Sequence, residues 1–129
     1  MEPKLNFAHV CENAFLSLDK KIYIIGGDFD TIFIERDKNL PGLFFSFFVI
    51  TNFSVTSNKE YDHTVILKSV DNNQIITTVK NRLETSGNKV GVILNIRARF
   101  PQYGKYRILI EFDSIKHNID FLVKEKENI

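Results

Sequence analysis

Residues 97–114 read RARFPQYGKYRILIEFDS, and the alternation of their apolar positions decides the fold. Side chains of an extended strand point to opposite faces in turn, so a period of two marks a strand with one buried face. Placing a loop at 101–105 sets Phe100 opposite Tyr106, Ala98 opposite Ile108 and Ile96 opposite Ile110, six residues on one apolar face. The other face of this predicted hairpin holds Arg99 opposite Arg107, Arg97 opposite Leu109 and Asn95 opposite Glu111.

Similar apolar runs recur along the chain. Strands are predicted near Leu5 to Phe15, Lys21 to Ile34 with a break at Gly26-Gly27, Leu43 to Val55, Thr64 to Val70, Gln74 to Val79, Val90 to Phe100, Tyr106 to Phe112 and Ile119 to Val123. The separators SLDK, RDKNLPG, TSNKEYD, DNN, TSGNK, PQYGK and SIKHN are rich in turn-forming residues. No stretch keeps helical spacing over helical length, and a short helix fits best near Lys80 to Thr85. With 129 residues, 43% hydrophobic against 26% charged, the chain is read as one folded domain over 1–129 rather than a disordered segment. Its fold class is all-β, an antiparallel two-sheet β-sandwich of about eight strands.

The series KKIYIIGGDFDTI, LPGLFFSFFVI, HTVILKSVDNNQ and YGKYRILIEFDSIKHNIDFLV resembles an uncharacterised bacterial family of small stand-alone β-sandwich proteins. The shared features are a Gly-interrupted second strand, a Pro-led third strand and a Gly-Lys-Tyr hairpin. The resemblance implies an immunoglobulin-like or C2-like sandwich and brings no activity or functional residues with it, so function is argued from sites.

The Gly26-Gly27 pair precedes DFDTIFI, a β-rich run. A phosphate loop needs a helix after it to aim N–H groups at the anion, so the pair reads as a bend or bulge in a strand. Asp28 and Asp30 share a strand face, and Asp71, Asp113 and Asp120 lie near turns. Calcium takes six to eight oxygens from several segments, and solvated turn positions are the simpler reading. His9 and Cys11 also share a face, with His63 and His117 elsewhere. They lack the paired short spacing of structural zinc and the elbow of a nucleophile. No catalytic residue, metal or cofactor is assigned, and the chain is not expected to be an enzyme.

Two surfaces remain. Arg97, Arg99 and Arg107 gather on the polar hairpin face with Lys105 and Tyr103 in its loop. Like charges opposite one another destabilise a sheet, which Glu111 or another strand's carboxylate relieves in the simpler reading, and an anion or acidic partner in the functional one. The run LFFSFFVI at 43–50 is apolar on both parities, with Leu43, Phe45, Phe47 and Val49 on one face and Phe44, Phe48 and Ile50 on the other. A sandwich buries one face of a strand, so the second needs a loop, a short helix or another subunit as cover.

A net charge of +1 confines electrostatic recognition to a local patch. The eight-residue run at 43–50 is too short for a membrane helix. A single cysteine and an N-terminus without a signal-peptide pattern fit a cytoplasmic protein. The expectation is a non-enzymatic protein-interaction module, homo-oligomeric or a small subunit of a larger assembly. Single-stranded nucleic-acid binding along the arginine hairpin is the alternative.

Overall fold

The computed structural model describes residues 2–16, 22–25 and 28–126. These residues form strands and loops, with no helix among them. In chain order the strands are β1 (Lys4–Cys11), β2 (Asn13–Leu16), β3 (Ile22–Ile25), β4 (Thr31–Ile34), β5 (Leu43–Ser54), β6 (Glu60–Ser69), β7 (Ile75–Glu84), β8 (Lys89–Phe100), β9 (Gly104–Phe112) and β10 (Ile115–Glu125). They pair as a three-stranded sheet β1-β5-β8, a five-stranded sheet β4-β10-β9-β6-β7 and a small sheet β2-β3.

The two larger sheets pack on a common apolar layer, because alternation gives each of their strands an inward set of side chains. On β9, Tyr106, Ile108, Ile110 and Phe112 are buried; on β8, Ile96, Ala98 and Phe100 are buried. Phe53 from β5 stacks on Phe112 from β9 at 3.9 Å between ring centroids, and Tyr61 also stacks on Phe112 at 5.0 Å. Each fully buried aromatic or aliphatic side chain contributes about 1.5–3 kcal/mol of transfer free energy.

The hairpin predicted at 97–114 is replaced by a corner. β8 pairs with β5 through twelve consecutive positions, from Leu43↔Phe100 to Ser54↔Lys89, while β9 lies between β10 and β6 in the other sheet. The six apolar residues still meet, but they face each other across the core. Phe100 and Tyr106 approach at 4.6 Å with ring planes 64° apart. Alternation dictates which side chains point inward; it does not dictate which strand lies alongside. Around the corner, the Tyr106 hydroxyl donates to the Gln102 carbonyl at 2.5 Å. Gly104 holds φ +148°, and a Cβ there would collide with the Asp71 carboxylate. That carboxylate also accepts the Lys105 N–H at 3.2 Å.

Three further expectations are corrected. The segment predicted as a short helix, Lys80 to Thr85, is strand as far as Glu84, the end of β7, whose Arg82 and Lys80 pair across from Asp62 and Thr64. Cross-strand pairing over the full length of β6 outweighs a weak local helix preference. The five-stranded sheet is not wholly antiparallel, because β4 runs parallel to β10 from Leu122↔Thr31 to Glu125↔Ile34. The strand predicted from Leu5 to Phe15 is divided at Glu12, while β3 and β4 lie on either side of the break expected at Gly26-Gly27, so ten strands stand among the described residues. Gly26 and Gly27 lie outside the described residues.

The second apolar face of β5 is covered from within the chain around Phe48 and Ile50. Cys11, Ala14 and Ile50 form a separate buried cluster with Phe48 and Ile93 packed against it. Cys11 ends β1 and Ala14 is the second residue of β2, so the turn at Glu12 folds the next strand over the sheet's outer surface.

Candidate functional site

The expected interface residues Phe44, Phe48 and Ile50 share the outer face of the three-stranded sheet but differ in access. Ile50 is fully buried, Phe48 is half-buried against the same cluster, and Phe44 is 48% exposed. Cover by Cys11 and Ala14 therefore withdraws Ile50 from any docking surface. Only Phe44 of the three is presented to solvent.

Register places arginines beside it. Phe44 pairs with Arg99 and Ser46 with Arg97 on adjacent β5 and β8, so both guanidinium groups leave the same outer face as the phenyl ring. Both arginines are exposed, and among the described residues neither has an ion-pair partner. A guanidinium is permanently charged and presents a fork of donors matched to carboxylate or phosphate. Gly42, at φ +129°, makes room for one of them. A Cβ at this position would stand 3.0 Å from Arg99 Cγ and 3.2 Å from the Phe100 carbonyl oxygen. Beyond β8, the start of β7 comes alongside, and a cleft of about 250 Å³ is lined by Gln74, Ile75, Ile76, Thr77, Arg97, Arg99 and Pro101. Nothing in the linear pattern announces Gln74 to Thr77 as neighbours of these arginines, because β7 belongs to the opposite sheet.

The rest of the predicted arginine patch lies elsewhere. Arg107 and Lys105 project from the outer face of the five-stranded sheet and converge on Asp120. Arg107 Nε donates to Asp120 Oδ1 at 2.7 Å and Nη2 to Oδ2 at 3.1 Å, while Lys105 Nζ lies 3.6 Å from Oδ2. The hydrogen bonds from Arg107 hold the Asp120 carboxyl below its ordinary pKa, and the same pair raises that of Arg107. Tyr103 is committed to the loop: its hydroxyl donates to the Ile34 carbonyl at 2.9 Å, and the Arg36 guanidinium lies 5.6 Å over its ring. The corner at 101–103 thus divides the five residues between two sheets and the loop joining them.

The acidic and thiol candidates have structural roles. Asp28 Oδ2 lies 2.8 Å from His9 Nδ1, and Asp28 Oδ1 accepts the Val10 N–H at 3.1 Å, pinning the chain to the edge of β1. Burial pushes the Cys11 thiol above its ordinary pKa and the charge of Asp28 adds to the shift, which depletes the thiolate a nucleophile requires. Asp71 serves the Lys105 N–H, and Asp113 adopts a left-handed turn conformation at φ 52°. His63 is buried edge-on beside the stacked Phe53 and Phe112 rings, at centroid distances of 6.0 and 6.2 Å, with neither ring nitrogen hydrogen-bonded. Among the described residues no three His, Cys, Asp or Glu side chains group as metal ligands, and no helix is long and apolar enough to cross a membrane.

The site is therefore a two-arginine cleft with an exposed phenyl ring at its side, on a scaffold held by the inward residues of both sheets. No curated protein matches this sequence. The scaffold itself has relatives, since residues 6–124 match the model of DUF6941, a family of unknown function, and the chain belongs to that family.

Proposed function

We propose that this protein is a non-enzymatic interaction module, built on an immunoglobulin-like or C2-like sandwich, that binds an acidic partner through Arg97, Arg99 and Phe44. The observation that carries this reading is the contrast between the two outer faces. On one, Arg107 and Lys105 share the carboxylate of Asp120. On the other, Arg97 and Arg99 stand beside exposed Phe44 without such a partner among the described residues. Permanent charges next to an exposed aromatic ring have the composition of an interface hot spot, in which charge selects the partner and ring burial supplies affinity. Separation of Arg107, Lys105 and Tyr103 from this face removes the continuous basic and aromatic track expected of a single-strand nucleic-acid binder. The buried cysteine is compatible with action in a reducing cytoplasm.

The test is capture from a native-host extract, with and without nuclease, comparing the parent with the double charge reversal Arg97→Glu/Arg99→Glu and with Arg107→Glu. The expected result is a stoichiometric protein that survives nuclease, disappears with the double reversal and persists with Arg107→Glu. Equal capture by the double reversal overturns the proposal, and loss on nuclease treatment replaces it with nucleic-acid binding.

A further inference from the structure

We infer that the free edge of β8 accepts an added β-strand from the partner, and that this strand alternates acidic with apolar side chains. The inference rests on the acidic-partner reading and specifies how that partner is held. An edge strand presents unpaired N–H and C=O groups, a ready template for another chain. The two larger sheets have four such edges, and three are poorly suited. β1 carries a bulge between Leu5 and Phe7, and its Val10 N–H is occupied by Asp28. β4 has four residues. β7 bears Lys80, Arg82 and Glu84, charges of both signs, with Arg82 already bound to Glu60 at 2.7 Å.

β8 differs in length and regularity. Its twelve residues pair with β5 without a register shift, and it ends the sheet order β1-β5-β8. The residues presented along its outer face include Lys89, Arg97 and Arg99, all cationic. Like charges directly opposite in a sheet are destabilising, so two copies pairing β8 to β8 would repel, whereas an acidic strand is attracted.

The side-chain pattern follows from the pleat. Residues of an added strand opposite Arg97 and Arg99 point to the same outer face, where carboxylates meet the guanidinium groups. The residue between them, opposite Ala98, points toward the five-stranded sheet, where half-buried Ile76, packed against the core, borders the cleft. An acidic, apolar, acidic triplet satisfies all three positions.

The experiment uses the full chain, isotopically labelled, with synthetic hexapeptides: alternating glutamate and valine, the same composition in two blocks, the alternating peptide N-methylated along its backbone, and alternating lysine and valine. The expected result is slowed amide exchange along β8 with the first peptide. Its affinity should be about tenfold or more above that of the block or N-methylated forms, the scale set by losing one or two good strand contacts. Arg97→Glu/Arg99→Glu, with an otherwise unchanged amide spectrum, should lose that peptide and take up the lysine one. Equal binding of the N-methylated peptide without protection of β8 overturns strand addition while leaving the acidic-partner reading in place. Failure of every acidic peptide to bind, or undiminished binding to the double reversal, overturns both.

Discussion

The side chain of Arg99 lies against Gly42, so that the absence of a Cβ at one position leaves room for the guanidinium stem of the other. Gly42 is held at φ +129°, a conformation that residues with a Cβ rarely adopt, and an added methyl group would press on Arg99 Cγ and on the Phe100 carbonyl. Gly42→Ala is expected to lower stability by about 1–3 kcal/mol, the range for backbone strain of this kind. It should also weaken capture of the acidic partner, because Arg99 must move. Chemical denaturation and the capture assay read the two effects separately; unchanged values in both would show that the contact relaxes freely.

A second expectation concerns pH. His63 is buried beside Phe53 and Phe112, and burial lowers its pKa from the ordinary 6.5. The unfolded chain therefore takes up the proton at a higher pH than the folded one. Stability from this group is complete above the unfolded value and is lost as pH falls through it toward the depressed folded value, at no more than about 1.4 kcal/mol per pH unit. His63→Phe should flatten the stability profile just below pH 6.5 and raise stability at neutral pH, since it removes two buried nitrogens without partners. Urea titrations across pH 5 to 8 check this. A parallel acid limb in parent and variant would exclude His63 as its source.

On the other outer face, Asp120 joins Arg107 and Lys105, with the Arg107 and Asp120 side chains 32% and 34% exposed. Solvent screening limits such a cluster, so Asp120→Asn is expected to cost about 0.5–1 kcal/mol at low salt and less at 1 M salt. Its lowered pKa places the matching acid lability below the ordinary carboxylate value of 3.8, distinct from the His63 window. Capture of the acidic partner should be unaffected, because these groups leave the opposite sheet. A loss of capture in a folded Asp120→Asn variant would contradict that separation.

Much of this architecture was legible in single strands. The period of two in β8 and β9 identified Phe100, Ile96, Ala98, Tyr106, Ile108 and Ile110 as core, and all six are buried. The two parities of β5 were assigned correctly, with Leu43, Phe47 and Val49 inside and Phe44, Phe48 and Ile50 on the other face. The need for a cover over that second face was also evident. Its source, the turn at Glu12 that brings Ala14 over Ile50, depends on residues distant in sequence from β5.

By itself the sequence determined most of the strands, though it offered a helix at the end of β7, and it determined the inward faces of β5, β8 and β9, because alternation is a local consequence of the pleated backbone. Tertiary structure alone decided the neighbours. β8 lies beside β5 and β9 beside β6 and β10, so a corner stands where a hairpin was expected, and three arginines expected together leave opposite sheets. The physical reason is that hydrogen bonds along a strand edge are the same for every partner. Pairing is chosen by packing and loop closure across the whole chain, and no local pattern encodes that choice.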